Sequence, residues 1–556
     1  MIHIHSPVIE DTPSMAPEKL DSQRDTSRNI VSIVSEALRR APEFPAFRPK
    51  HDTELQWDLV SSKQAAKHIA VAADHWSKSL SNEPGSVIGI WLTGKKYSDG
   101  INTLGLISAG YVPQLFSVVF SSHEVVWDLL VKSEASALVF DDTFAEVVSK
   151  YQILALPALT FTALEATTVG ELYVAPVSYG DTAMIVHSSG TTSGMPKLIP
   201  CTHGWVKSFF VNTFGHLLRN SRGGSGPNAI NTLGSLAHVG SFCLLCAAFY
   251  HGLCTVQTSS MGMSTDELVV MIKQFGVNRL VLYAPFLARH IRSARDNPEI
   301  IGLLQTCRQI IHTGVTLGAD EENWAYDNGL QIMSIYGASE TAELMMTRCG
   351  NAKGDRYLRM IPDTSAEMIP STDIHDAGNG GRRFLEIVVR SGYMDSPHPS
   401  LISPDGFYHT GDLFEEVEPE LYLFRGRGGD WVKSLGGFCD AKSIEDNVRS
   451  CCADIIHEAV VVGSNRPAPC LFLEIREDIP FDTAIEKERI VQTVIQRMAP
   501  FNQRLFPYER IDESIRIHML AMNSLPRTKE KGNIRRNETE ATYSSVLDTI
   551  FADHQV

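Results

Sequence analysis

Between Met184 and Lys197 the chain reads MIVHSSGTTSGMPK, an apolar run that opens into serines, threonines and glycines and closes on a proline and a lysine. Hydroxyls and backbone N–H groups in such a loop can wrap a polyphosphate, and the lysine adds a point charge. The pattern is not the Walker form G-x-x-x-x-G-K-[ST], because Met195 and Pro196 stand between Gly194 and Lys197. On its residues alone the loop also reads as an ordinary Ser/Gly turn between a strand and a helix. Further charged groups follow in order: Glu340 in SIYGASE, Asp412 in FYHTGDL, Arg427 in FRGRGGDWVKSLGG, and the lysines of LPRTKEKGNIRR. Each has a plain structural reading as well. Glu340 could satisfy a helix macrodipole, Asp412 could sit in a turn, and Arg427 and the lysines could be solvated surface charges. Cys243 and Cys246 form a C-x-x-C inside the apolar, helix-like SFCLLCAAFY. They read as core thiols, since no second Cys or His pair stands at zinc spacing.

These groups lie far apart in sequence and need a scaffold to bring them together. Apolar runs at Val87–Leu92, Ala137–Phe140, Met184–His187, Arg279–Tyr283, Ile310–Thr313 and Gln331–Ile335 predict strands, with helices at Gly100–Ala109, Ser122–Lys132 and Ser264–Phe275 between them. Such alternation implies βαβ crossovers and largely parallel sheets covered on both faces. IVSIVSEALRR, from Ile30, predicts a short amphipathic helix, and the polar residues before it a mobile arm. Beyond about Gly378 the turn-rich SGYMDSPHPSLISPDG marks a β-rich region. The glycines of FRGRGGD suit a hinge. After them SIEDNVRS and ERIVQTVIQRM read as helices and HEAVVVG and CLFLEIRE as strands. The predicted class is α/β: an arm over 1–28, a large N-terminal lobe of parallel and mixed sheets with a β-rich subdomain over 29–425, a hinge at 426–430 and a small mobile α/β lobe over 431–556.

The 556 residues, 43% hydrophobic and 21% charged, are enough to bury a full core. With 65 acidic and 49 basic residues the net charge is −16, which argues against a nucleic-acid or anionic-membrane binder. MIHIHSPVIEDTPSM lacks the basic and apolar regions of a secretory signal. The apolar stretch Phe242–Val256, interrupted by His251 and Gly252, is too short to span a bilayer. Ten scattered cysteines fit reduced thiols and a cytoplasmic location.

The five motifs, in this order over roughly Ile30 to Arg536, resemble the adenylate-forming superfamily of acyl-CoA synthetases, luciferases and peptide-synthetase adenylation domains. HSSGTT and GRGGDWVKS with SIEDNVR look most like adenylation domains of fungal synthetase-like reductases. The resemblance implies that a carboxylate attacks the α-phosphate of ATP to give an acyl-adenylate and pyrophosphate, after which a thiol displaces AMP. It assigns Ser188, Ser189, Gly190, Thr191, Thr192, Gly194 and Lys197 to the phosphate loop. Tyr336 would border the adenine, with Gly337 and Ser339 beside the nucleotide, and Glu340 would hold Mg²⁺. Asp412 would accept from the ribose hydroxyls, and Arg427 would contact ribose or phosphate.

Three positions depart from the family pattern. Ser193 lengthens the phosphate loop by one residue, and Gly429 stands where the hinge usually has the first of two aspartates, leaving Asp430. The C-terminal lysine follows the K-G variant of its motif. Lys531 is therefore the candidate for neutralising the carboxylate and bridging oxygen during adenylation, with Lys529 as the alternative.

The acid pocket falls in LGSLAHVGSFCLLC, where amino-acid-activating relatives carry an aspartate and this chain has His238, which resembles a gating histidine. An unpaired ammonium there would be costly, so an aryl, α-keto or fatty/polyketide-type acid is expected. Val239, Gly240, Ser241, Ile311, His312, Thr313, Gly314 and Ala338 are the expected walls, and Gly314 would also let backbone approach the purine. The acceptor is CoA or a phosphopantetheinyl carrier, and the chain could be free-standing or one domain of a larger synthetase. A catalytically silent nucleotide-binding protein is the reading from a different class.

Overall fold

The computed structural model describes residues 17–20, 29–51, 55–116, 118, 123–187, 196–221, 228–314, 316–350, 352–371, 384–428, 431–434, 437–464, 466–503, 505, 507, 509–527 and 534–551. They divide into two compact units: the described residues of 1–188, 197–366 and 389–408 in one, those of 189–196, 367–388 and 409–556 in the other.

The first unit carries the strands β1 (Thr182–His187), β2 (Leu198–Thr202), β3 (Val277–Tyr283), β4 (Gln309–Thr313), β5 (Ile332–Ala338) and β6 (Ala342–Met346). β1 and β2 end a six-stranded sheet ordered Leu154–Pro157, Ala137–Phe140, Val87–Trp91, Val112–Phe116, β1, β2. It is parallel except for the antiparallel β2. A nine-stranded sheet runs Arg359–Met360, β6, β5, β4, β3, Ala229–Asn231, Cys254–Val256, Pro45–Arg48, Val60–Ser61. Its strands β3, β4 and β5 are parallel neighbours, and β6 folds back antiparallel on β5.

Apolar strands of this kind need cover on both faces, and helices supply it. One core joins Val31, Val34 and Leu38 of the helix Ile30–Arg40 to Ile69 and Trp76 of Ser62–Ser79 and to Phe242, Cys243 and Cys246 of Val239–His251. That last helix is apolar all round because it is enclosed all round. Cys243 and Cys246 have no exposed surface there, in line with core thiols, and all ten cysteines are free. Of the predicted arm, Pro17–Leu20 lie among the described residues, and the Leu20 N–H donates to the Gly392 carbonyl at 3.0 Å.

The second unit contains, from His409 onward, the hairpin of β7 (Phe407–Glu418) and β8 (Leu421–Arg427), paired from Asp412 onward. A three-stranded sheet follows, ordered Ile456–Val462, Cys470–Ile475, Ile517–Leu520. The helices Ala441–Cys451 and Ala484–Asn502 close its core through Ile444, Val448, Ile490 and Val494. No helix among the described residues is long and apolar enough to cross a membrane.

Candidate active site

Ser188, Ser189, Gly190, Thr191, Thr192, Ser193 and Gly194 lie outside the described residues, whereas both ends of their loop lie inside. β1 enters the loop and β2 leaves it as an antiparallel pair, with His187 opposite Leu198. The loop thus joins two strands, where the sequence also allowed a strand-to-helix turn. Lys197 sits exposed directly before β2. His187 is locked at the end of β1: its Nδ1–H donates to the Leu115 carbonyl at 2.9 Å, and the Gln114 amide donates to its Nε2 at 3.0 Å. The carbonyl can only accept, which fixes the tautomer. Burial lowers its pKa to about 4, so the imidazole is neutral. Neither Gln114 nor His187 was legible as a pair, because 73 residues separate them.

The SIYGASE motif forms β5 and the turn beyond it. The Thr341 N–H donates to the Ala338 carbonyl at 3.2 Å, and the Thr341 hydroxyl accepts from the Ala338 N–H at 3.3 Å. Glu340 therefore lies half-buried at the tip of a strand–turn–strand, not at a helix start. Register slips between Tyr336 and Gly337, which brings Gly337 against β6. A β-carbon there would meet the Ala342 carbonyl oxygen at 2.2 Å, so only glycine fits. Tyr336, Ala338 and Ser339 are half-buried along the same edge. Burial, and then the Glu340 charge, push the Cys201 thiol of β2 up.

Around the expected acid pocket the pleat separates the candidates. Ile311 packs with Val281 and Met333 against the helix-bearing core, whereas Ile310 packs with Leu280 and Leu282 on the opposite face. Thr313 shares the first face with Ile311, and His312 the second, since strand side chains alternate. His312 is buried, and burial holds its imidazole near pKa 4. Gly314 has φ +90° and lies under the Tyr283 ring, whose Cδ1 is 2.8 Å from where a β-carbon would stand. His238 is exposed and caps the helix Val239–His251, its Nδ1 accepting the Gly240 N–H at 3.2 Å. Val239 is buried, and the Ser241 hydroxyl donates to the Leu233 carbonyl at 3.3 Å.

In the second unit Asp412 is buried within a strand rather than placed in a turn. Its cross-strand partner Arg427, half-exposed, donates from Nε to Asp412 Oδ1 at 3.0 Å. Gly429, Asp430, Lys529 and Lys531 lie outside the described residues. The two lysines fall between Arg527 and Ile534, which bridge to each other. Arg527 is held by the fully buried Glu474, whose other oxygen accepts the Leu525 N–H at 2.7 Å.

Among the described residues no group of three or more His, Cys, Asp and Glu could hold a metal by itself. Glu340 fits the other mode, in which one carboxylate shares a Mg²⁺ ion with nucleotide phosphates.

A family model described as AMP-binding enzyme matches residues 40–374, and one described as AMP-binding enzyme C-terminal domain matches 432–555. An AMP-binding domain-containing enzyme of Amanita muscaria, iboA, is 30% identical over 487 residues, covering 85% of this chain and 92% of that one. A 3-hydroxybenzoate–CoA ligase of Aromatoleum sp. is 24% identical over 405 residues, 65% of this chain and 70% of that one. Among solved structures, the o-succinylbenzoate CoA synthetase of Bacillus subtilis in complex with its acyl-adenylate intermediate shares the fold, with TM-score 0.70 and 17% identity over 91% of this chain and 97% of that one. The chain belongs to the AMP-binding enzyme family and is an adenylate-forming ligase.

Proposed function

We propose that the chain activates an aryl, α-keto or fatty/polyketide-type carboxylic acid with ATP and passes the acyl group to the thiol of CoA or a carrier protein. A carboxylate oxygen attacks the α-phosphorus, the bond to the bridging oxygen breaks, and pyrophosphate leaves. The thiol sulfur then attacks the acyl carbon, losing its proton, and AMP leaves. Both steps concentrate negative charge, which donors and cations already in place stabilise best. The observation that carries the reading is Glu340 at the β5–β6 turn in the same unit as β1 and β2, the paired strands that flank the phosphate loop in sequence.

Lys197 and the 188–194 hydroxyls and amides take the phosphates, and Tyr336, Gly337, Ser339 and Gly314 border the base. Glu340 holds Mg²⁺, which when bound offsets phosphate charge. Asp412, kept oriented by Arg427, accepts from the ribose. His238 stands at the pocket mouth, with Val239, Gly240, Ser241, Thr313 and Ala338 near the acid. Lys531, or Lys529, neutralises the developing charge, and the 426–430 segment, which falls between the two family-model matches, serves as the hinge between lobes 29–425 and 431–556. The aryl class draws support from the 3-hydroxybenzoate–CoA ligase. Free thiols support action in the cytoplasm.

Acid-dependent ATP–pyrophosphate exchange tests the first step, and thioester formation with CoA or a carrier the second. Exchange without thioester on either acceptor would overturn the transfer step alone.

A further inference from the structure

Eight of the ten cysteines are buried, and Cys349 and Cys451 are half-buried. These two differ in what stands beside them. Cys349 Sγ meets the Gln331 carbonyl at 3.7 Å, with no second sulfur beside it among the described residues, and burial pushes its thiol up to about 12. Cys451 Sγ lies 3.6 Å from Cys452 Sγ, closer than its other contacts, Asn447 Oδ1 and the Val448 carbonyl, both at 3.9 Å. A sulfur that solvent can reach is thus set against an enclosed one in the second unit.

Cys451 ends the helix Ala441–Cys451, and Cys452 is its C-cap. Cys452 has no exposed surface and belongs to the core that holds Val448, Val494 and Met498. Its backbone is held as well: its N–H donates to the Val448 carbonyl at 2.9 Å, and its carbonyl accepts the Ile455 and Ile456 N–H groups at 2.9 and 3.0 Å. The second of these bonds sits at the start of the strand Ile456–Val462. A cation flanks the pair. Arg497, paired with Asp454, donates from Nη1 to the Cys451 carbonyl at 3.0 Å, and a neighbouring cation favours a thiolate. Burial, and then Cys451, nevertheless push the Cys452 thiol up to about 12. Cys451 is therefore the sulfur that meets a dissolved oxidant, and Cys452 the one that resolves the product.

We propose that Cys451 and Cys452 form a redox modification site: hydrogen peroxide converts them to a disulfide, and closing that bond loosens the end of the helix Ala441–Cys451. The Cys451 sulfur attacks one peroxide oxygen, the O–O bond breaks, and the thiol proton leaves with the other oxygen as water, giving a sulfenic acid. The Cys452 sulfur then attacks the Cys451 sulfur, the S–O bond breaks, and the Cys452 proton leaves with the hydroxyl as a second water. Both sulfurs are oxidised, and one peroxide is reduced to two waters. Groups already in contact react faster with each other than with a dissolved thiol. The product cannot keep the turn it starts from. Adjacent Cα atoms stand about 3.8 Å apart, below the span of about 4.4 Å at which disulfides usually begin. The backbone at Cys452 must open, which weakens its bonds to Val448, Ile455 and Ile456. Such a disulfide is easily reduced, as suits a transient bond between thiols that are free at rest.

The test treats the full chain with a small excess of hydrogen peroxide, then alkylates and digests it without reductant for mass spectrometry, with Tm read on the same samples. The peptide carrying Cys451 and Cys452 should lose two hydrogens before Cys349 changes, Tm should fall by about 2–4 °C or more, and dithiothreitol should restore both. Cys451→Ser should abolish the disulfide and the Tm response. Cys452→Ala, which keeps the core apolar, should leave a sulfenic acid on Cys451 that dimedone traps. No oxidation at Cys451, Cys349 oxidised first, or Cys451 driven to sulfinic acid while Cys452 stays a thiol, would overturn the site. A disulfide between the two with Tm within about 1 °C of the reduced chain would overturn its coupling to the fold.

Discussion

Replacing Gly337 by alanine probes the packing that places Tyr336 and Glu340. The new β-carbon would stand 2.2 Å from the Ala342 carbonyl oxygen, 2.6 Å from Glu343 Cα and 2.7 Å from the Ala342 carbonyl carbon. All three are backbone atoms, so no rotamer change relieves the overlap, and β5 and β6 must separate by about 1 Å to reach ordinary contact. Overpacking of this kind costs about 1–3 kcal/mol of stability, too little to unfold a large core. A shift of about 1 Å at a reacting group costs about 100-fold in rate. The expected result is therefore a kcat/KM for acid-dependent pyrophosphate exchange about 100-fold lower, with a modest fall in Tm. Gly302→Ala is the control: it lies in the helix Pro298–Thr306 with nothing within 4 Å of an added β-carbon. Alanine in a helix interior is worth about 0.5–1 kcal/mol over glycine, so Tm should hold or rise with exchange unchanged. Gly337→Ala within threefold of the wild type at a native Tm would refute the reasoning.

Other perturbations read other parts of the molecule. His203, His290 and His312 are buried and held near pKa 4 against an ordinary 6.5, so the unfolded chain binds protons that the folded one refuses between those values. Their stabilisation is present above pH 6.5 and drains as pH falls towards 4, up to about 3 kcal/mol each; a denaturation midpoint at pH 5 equal to or above that at pH 7 would contradict this. Glu474→Ala strips the buried partner of Arg527 and the acceptor of the Leu525 N–H. A loss of about 3–5 kcal/mol is expected in chemical denaturation, together with impaired adenylation if the lysines beyond Arg527 serve that step. Asp412→Asn removes a charged acceptor and should raise the KM for ATP by about 10- to 100-fold, whereas an unchanged KM would take Asp412 out of the nucleotide site.

Much of the scaffold is legible in the sequence because apolar runs without polar interruption leave little choice of place. Ala137–Phe140 is a strand with the bounds its composition predicts, and the helix expected from Ile30 spans Ile30–Arg40. β2 escaped notice because LIPCT is short and contains proline, which a sheet tolerates only at an edge; Pro200 lies on the edge strand, opposite Ile185. The β5–β6 hairpin was equally hidden. Its reversal depends on Ala342 adopting φ 57°, a left-handed backbone that alanine sequence statistics disfavour. The side-chain partnerships at the site are long-range, and no local pattern encodes them. His312 shows the converse limit: proximity in sequence placed it beside Thr313, and the pleat turned it to the other face of the sheet.

The most direct measurement is ATP–pyrophosphate exchange by the full chain against a panel of carboxylic acids, run beside ATP binding and beside the Glu340→Gln variant. Exchange should require an acid, with at least one acid far above the rest, and should fall by about 100-fold or more in Glu340→Gln. Measurable ATP binding with no exchange for any acid would contradict it, as would exchange undiminished by loss of the Glu340 charge.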